Sequence, residues 1–221
     1  MTEKVKKGDF VELEYTGRFK EDNFVFDTTN EEIAKNNNIH SPGMIYGPVK
    51  ICIGHRHVIK GLDESLDNSE VGKEIELDIP TEKAFGKKDA KLLKLMPMSA
   101  FKGQQINPVP GMQLNIDGVM TTVRSVSGGR VVIDFNHPFA GKDVIYKYQI
   151  NRHITDPAEK IRGCLSLLLT KNESKIKVSV EADKANVEID EKIPIEYLNA
   201  QKPKLIEMVP EIKTMEFKVK T

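Results

Sequence analysis

The run Gly54-His55-Arg56-His57-Val58-Ile59-Lys60-Gly61-Leu62 gathers the residue types best placed for chemistry. Upstream, Val49, Ile51 and Ile53 alternate with Lys50 and Cys52, the period-two pattern of a half-buried strand. Gly54 ends that strand at a position able to take positive φ. Beyond the turn, Ile59, Leu62 and Leu66 recur at helical spacing, so a short helix begins near Val58 and its first backbone N–H groups lack partners within it. Such a donor beside Val58, Ile59 and Leu62 suits a ligand with one carbonyl on an apolar ring, and a peptidyl-proline is such a ligand. The plainer alternative is the start of a core helix capped by another loop. His55 and His57, with His40, His137 and His153 elsewhere, are the material for a metal site, but histidines two apart beside a turn more often face solvent. We therefore expect neither metal nor cofactor.

The elements that must position this stretch can be read in order. Val11, Leu13 and Tyr15 alternate with Glu12 and Glu14 as a strand ending at Thr16-Gly17, with Tyr15 pointing inward. Phe24 to Thr29 resumes it and sets a carboxylate, Asp27, in an apolar neighbourhood. Residues 30–47 are too rich in Asn, Gly and Pro for core and predict a loop with one helical turn. Glu74 to Ile79 alternates as another strand, stopped by Pro80. After Lys87-Lys88-Asp89 the character changes. Leu92, Leu93, Leu95, Met96, Pro97, Met98, Phe101, Val109, Pro110 and Met112 put Met and Pro at high density, too irregular for one helix and too apolar for an ordinary loop. Two readings fit this block: a β unit filled by flexible side chains, or an adaptable apolar groove formed by Leu92, Leu95, Met96, Met98, Phe101 and Met112. A hairpin through Asp117-Gly118 and a strand after Gly128-Gly129 complete an inserted β unit, and Val144, Tyr146, Tyr148 and Ile150 return the chain to the first sheet.

From Asn151 a further segment begins. Asp156-Pro157-Ala158-Glu159 is a strong helix start, and the wide stripe of Ile161, Cys164, Leu165, Leu167, Leu168 and Leu169 predicts a helix buried against something. A hairpin across Asp183-Lys184, one kinked or two short helices broken at Pro203, and a last strand through Met215, Phe217 and Val219 make an α+β domain of about seventy residues. A domain of that size is marginal alone, and a homodimer formed through its helices would supply the missing burial.

The 221 residues carry 33 basic and 33 acidic side chains, so no basic field argues for nucleic acid or an anionic membrane. No apolar run approaches the ~20 residues a membrane span needs. We expect a soluble, cytoplasmic protein. Cys52 and Cys164 have neither metal nor redox spacing and read as reduced core thiols.

Five ordered motifs now stand together: Val11-Glu12-Leu13-Glu14-Tyr15-Thr16-Gly17; Phe26-Asp27; Gly54-x-x-x-Val58-Ile59-x-Gly61-Leu62; Ala84-Phe85-Gly86; and Asn136-His137-Pro138-x-Ala140-Gly141. In order and spacing over 1–152 they resemble the FKBP-type peptidyl-prolyl cis-trans isomerases of the SlyD-like branch with an insert-in-flap domain. With its C-terminal extension the whole chain is most similar to the archaeal long-type FKBPs. The resemblance implies an α+β fold: a curved antiparallel sheet around a short helix (1–87 plus 137–152), an inserted all-β chaperone-like domain (88–136), and a C-terminal α+β domain (153–221). It implies a prolyl isomerase acting on prolyl peptides and on unfolded or nascent proteins. Tyr15, Phe26, Asp27, Ile59 and Tyr146 match its catalytic positions, the Ile59 N–H holding the substrate carbonyl, and Val49, Val58, Leu62, Phe85 and His137 its substrate wall. Leu62 stands where many members have Trp, Phe85 where many have a Tyr hydroxyl, and Val49 where many have an aromatic, which implies a shallower pocket with one hydrogen bond fewer. Those departures support an alternative, a holdase or assembly chaperone whose prolyl site is vestigial.

Overall fold

The computed structural model describes residues 3–103 and 105–220. It divides into two compact units, one joining the chain up to Asp78 to the chain from Ile145 onward, the other running from Ile79 to Val144.

The first unit opens with β1 (Phe10–Phe19), β2 (Val25–Thr28), α1 (Glu31–Asn36), β3 (Val49–Cys52), α2 (Lys60–Leu66) and β4 (Glu74–Ile79). The ten-residue β1 serves two partners on one flank. Its first half pairs antiparallel with β3, Phe10 opposite Cys52 and Leu13 opposite Val49. Its second half pairs with β2, Gly17 opposite Asp27, and a bulge follows Gly17. Alternation decides which side chains face inward, so Val11 and Leu13 are fully buried while Glu14 is exposed. In α1, Asn30 caps the helix by accepting from the Glu32 and Ile33 N–H groups, as a short polar side chain at that position can.

The second unit holds β5 (Leu93–Pro97), α3 (Met98–Lys102), β6 (Gln113–Ile116), β7 (Val119–Ser127) and β8 (Arg130–Asp134), in the sheet order β5-β8-β7-β6 with every pairing antiparallel. Asp117-Gly118 and Gly128-Gly129 both take positive φ, the two-residue hairpin geometry that matches strand twist. The unit is not all strand. Helix α3 presses Phe101 into a small core of Val123, Val131 and Ile133, with Met96 and Met98 packed against it.

The chain re-enters the first unit through β9 (Val144–Ile154), which lies between β1 and β4 in a five-stranded sheet. Then follow α4 (Pro157–Leu169), β10 (Ile176–Glu181), β11 (Lys184–Ile189), α5 (Ile195–Met208) and β12 (Thr214–Val219). Strands β10 and β11 form the hairpin, and β12 joins β11 in parallel. Helix α5 continues through Pro203 as one element, because buried Leu198 on one side of the proline and buried Leu205 and Met208 on the other hold both halves against the core.

Helix α4 packs on β3. Phe10 and Cys52 share one core cluster with Ile161, Cys164 and Leu165, so part of the burial that a seventy-residue domain lacks is supplied within the chain. Gly163 permits the approach: a Cβ there would stand 2.5 Å from the Lys50 Cβ. The rim is ionic. Lys50 Nζ reaches Glu173 at 2.6 Å and Glu159 at 3.0 Å, while Arg152 bridges Glu159 at 2.5 Å and Glu12 at 2.7 Å. The Arg152 hydrogen bond, with Lys50 behind it and burial opposing, holds the Glu159 carboxyl down to about 2. Among the described residues no helix is long and apolar enough to cross a membrane.

Candidate active site

Three strands of the first unit bring aromatic rings together. Tyr15 of β1 lies 5.6 Å from Tyr146 of β9, centroid to centroid, and Phe26 of β2 meets the Tyr146 ring edge-on at 6.0 Å. Phe19 stacks on Phe26 at 4.7 Å. Tyr146 is buried, whereas Tyr15 and Phe26 are half-buried. Gly17 makes this crowding possible: a Cβ there would meet Tyr146 Cζ at 2.7 Å and Phe26 Cζ at 3.0 Å. Across the ladder from Gly17 stands Asp27. Burial raises its carboxyl above the ordinary carboxylate value, opposed by hydrogen bonds from the Tyr15 hydroxyl and the Thr28 backbone. Burial first, and the Asp27 charge second, push the Tyr15 and Tyr146 hydroxyls well above the usual phenol range. Both therefore remain protonated donors at neutral pH.

The loop from β3 to α2 is tied down by its own backbone. Gly54 and Arg56 both take positive φ. The buried Asp63 in the first turn of α2 accepts from the Gly54 N–H at 2.9 Å through Oδ1 and from the Arg56 N–H at 3.1 Å through Oδ2. On the same loop, His57 Nδ1 accepts from the Cys52 N–H at 3.2 Å. Ile59 is the N-cap of α2, with no side chain capping the helix start. Its carbonyl accepts from the Asp63 N–H, but among the described residues its own N–H has no acceptor. Val58 and Ile59 are partly exposed; Leu62 is fully buried. An apolar loop presenting one unspent amide can hold a carbonyl, and the fixed loop geometry means the donor need not reorganise to do so.

The second unit builds its own aromatic group. Phe85 stacks on His137 at 4.8 Å with the planes 4° apart, and Phe139 packs edge-on to both. Buried Asn136 binds the two chain segments there: its Oδ1 accepts from the Asp89 N–H at 2.8 Å and its Nδ2 donates to the Asp89 carbonyl at 3.1 Å.

The family model for the FKBP-type peptidyl-prolyl cis-trans isomerase matches residues 1–102, and that for the FKBP26 IF domain matches 94–139. A short-type peptidyl-prolyl cis-trans isomerase from Methanocaldococcus jannaschii is 35% identical over 155 residues, covering 70% of this chain and 96% of the relative. The chain belongs to the FKBP-type peptidyl-prolyl cis-trans isomerases. Two bacterial proteins named FKBP-type peptidyl-prolyl cis-trans isomerase SlyD are also similar. The one from Helicobacter pylori is 26% identical over 106 residues (47% of this chain, 57% of the relative), and that from Treponema pallidum 30% over 118 (51% and 66%). The alignments thus span between half and two thirds of those SlyD chains.

Within this FKBP-type chain, Tyr15, Phe26, Asp27 and Tyr146 lie together, and Val49, Val58, Ile59 and Leu62 lie on β3 and at the start of α2 in the same unit. Phe85 and His137 belong to the other unit. The six residues read as an apolar groove divide. Leu92, Leu95 and Met112 are exposed, whereas Phe101 is only 4% exposed and Met96 and Met98 pack against it. Those three fill the small core because α3 and β5 turn them inward, and Leu93, Val109, Val119 and Met120 stand exposed in their place. His57 likewise turns inward rather than to solvent. Its ring centroid is 6.4 Å from that of His55, and among the described residues no group of three His, Cys, Asp or Glu could hold a metal ion.

Sequence reasoning quoted Gly17, His57 and Asn136 within motifs without these structural roles and passed over Asp63: Gly17 spaces the aromatic rings, His57 and Asp63 tie the loop before α2, and Asn136 joins two segments of the second unit. One signal for Asp63 was legible: an acid in the first turn of a helix that follows a glycine turn commonly accepts from that turn's backbone.

Proposed function

We propose that this chain accelerates proline-limited protein folding by prolyl isomerisation, and that its inserted unit holds unfolded segments nearby. Rotation about a prolyl bond must break amide resonance and unassisted takes tens to hundreds of seconds. It requires no nucleophile. In this reading the Ile59 N–H takes the carbonyl of the substrate's proline residue, while Tyr15, Phe26 and Tyr146 wall the ring and exclude water. A dry wall disfavours the charge-separated resonance form, and fixed donors that fit the twisted amide better than the planar one lower the barrier further. Asp27 and the Tyr15 hydroxyl orient the bond. Val58, partly exposed beside Ile59, extends the substrate wall, fully buried Leu62 backs it from the core, and Val49 closes it. The observation that carries the reading is the Ile59 amide, lacking an acceptor among the described residues in the unit that also holds the aromatic cluster.

The holding role rests on β5, an edge strand whose Leu93 and Leu95 are exposed, 42% and 59%. An apolar open edge is a template for pairing with another extended chain. The same edge favours the second reading, a holdase with a weak prolyl site. One pair of assays decides. In a protease-free assay on proline tetrapeptides the full chain should turn over, and deleting 88–136 should leave that rate within about threefold while cutting catalysed refolding of a protein at least tenfold, through lost effective concentration. No tetrapeptide turnover would leave the holdase reading. Equal losses on both substrates would remove the insert from substrate capture.

A further inference from the structure

We propose that His57 is a positioning residue through which helices α4 and α5 hold the Ile59 amide in its binding orientation. The proposal rests on the reading of Ile59 as the carbonyl-binding donor and adds what sets its geometry. The imidazole sits two residues before Ile59 and forms one wall of a cleft of about 190 Å³ whose other walls include Cys164, Leu167 and Leu168 of α4 and Lys204 and Leu205 of α5. Its Nδ1 accepts from the N–H of Cys52, the last residue of β3, the strand on which α4 packs. The ring thus faces the C-terminal helices across this cleft while it is hydrogen-bonded to the end of the strand, so the space those helices leave sets how far the ring can move.

On the other flank of the loop, Asp63 accepts from Gly54 and Arg56. Arg56 is held at φ 57°, a conformation that L residues avoid unless neighbours impose it. Asp63 ties both ends of the loop, accepting from Gly54 and Arg56 and donating its own N–H to the Ile59 carbonyl at 3.0 Å, and the His57 ring ties the middle of the loop to the end of β3, so that losing the His57 bond loosens the loop as a whole. The acceptor role requires an unprotonated Nδ1. Burial, with Lys204 and His55 adding to it and Asp63 opposing, brings the imidazole down to about 4, so the ring is neutral wherever the protein works near neutral pH. A histidine serves better here than an aliphatic residue because it fills the apolar wall and accepts a hydrogen bond at once.

The test uses the full chain carrying His57→Leu, His57→Asn and, separately, Leu205→Ala. Leucine keeps the apolar wall but leaves the Cys52 N–H unpaired, whereas the asparagine oxygen can replace Nδ1. His57→Leu should raise the tetrapeptide KM about fivefold with kcat within about twofold, the effect of one misplaced hydrogen bond, and should speed hydrogen exchange at the Gly54 and Arg56 amides. His57→Asn should recover most of both. A His57→Leu protein with wild-type KM and exchange overturns the proposal, as does a His57→Asn protein as impaired as His57→Leu. Should His57→Leu not fold, Leu205→Ala decides: faster exchange at the two amides supports the coupling, and unchanged exchange overturns it. A wild-type chain inactive on tetrapeptides would overturn the isomerase reading instead, and the exchange comparison would still decide whether His57 positions the loop.

Discussion

Gly17→Ala tests the aromatic cluster most sharply, because two opposing effects must be weighed. The φ of Gly17 lies outside the left-handed region, so alanine fits the backbone and, by restricting the unfolded chain, would alone stabilise by about 0.4–1 kcal/mol. Space says otherwise. The new Cβ would lie 2.7 Å from Tyr146 Cζ, 3.0 Å from Tyr146 Cε2 and 3.0 Å from Phe26 Cζ. Carbon atoms settle at about 3.5–4.0 Å, so the Tyr146 ring must retreat by roughly 1 Å. It has little room, being 2% exposed, and Phe26 is backed by Phe19 at 4.7 Å. Overpacking of this kind costs about 1–3 kcal/mol, which, set against the entropic gain, leaves a net loss of roughly 0–2.6 kcal/mol, centred near 1 kcal/mol. A ring shift near 1 Å in a site that works by position should also lower tetrapeptide turnover by roughly ten- to a hundredfold. Urea denaturation gives the first quantity and the protease-free isomerisation assay the second. A Gly17→Ala protein that is more stable than wild type and fully active would refute the packing. One that is destabilised yet fully active would leave the packing intact and take these rings out of catalysis.

Asp27→Asn separates a cost from a use. Burial raises the folded carboxyl, so its charged form weakens folding as pH rises through that raised value; the asparagine variant should be the more stable at pH 7, with the gap closing below the unfolded carboxyl's pKa of about 3.9. The same change should slow proline-limited refolding catalysis by roughly tenfold or more, the scale of one charge-assisted hydrogen bond, and unchanged turnover would remove Asp27 from the mechanism. Gly163→Ala should destabilise by about 1–2 kcal/mol in urea even though alanine favours helix, because the Lys50 Cβ at 2.5 Å is fixed to a strand and cannot swing aside. A stabilised Gly163→Ala protein would show that α4 does not pack on β3 at that point.

Local patterns were readable where a short-range rule has few competitors. Alternation placed β1, β4 and β9, and the Asp117-Gly118 and Gly128-Gly129 pairs announced hairpins because only such residues tolerate φ > 0 at both central positions. Asp156 and Pro157 announced α4, and Asp156 does accept from the Ala158 and Glu159 N–H groups. Pro203 was ambiguous by the same local logic, since a missing N–H argues for a break and only burial of Leu198, Leu205 and Met208 decides for one helix. Phe101 is the instructive error. Composition marks it as sticky, but whether a sticky side chain is core or surface depends on which way α3 faces, which no local pattern carries.

The order of motifs, the strand and helix types, the apolar loop before α2 and the family were therefore determined by the amino-acid sequence alone, because each depends on residues close in the chain or on spacing within it. The tertiary structure alone decided that Gly17 must lack a side chain for Tyr146 and Phe26 to meet, that Asp63 and His57 hold the loop bearing Ile59, and that Gly163 lets α4 rest on β3. Each of those is a contact between segments far apart in the chain or a choice among hydrogen-bond partners. Such choices are settled by packing at close density, where a fraction of an ångström separates a fit from a clash.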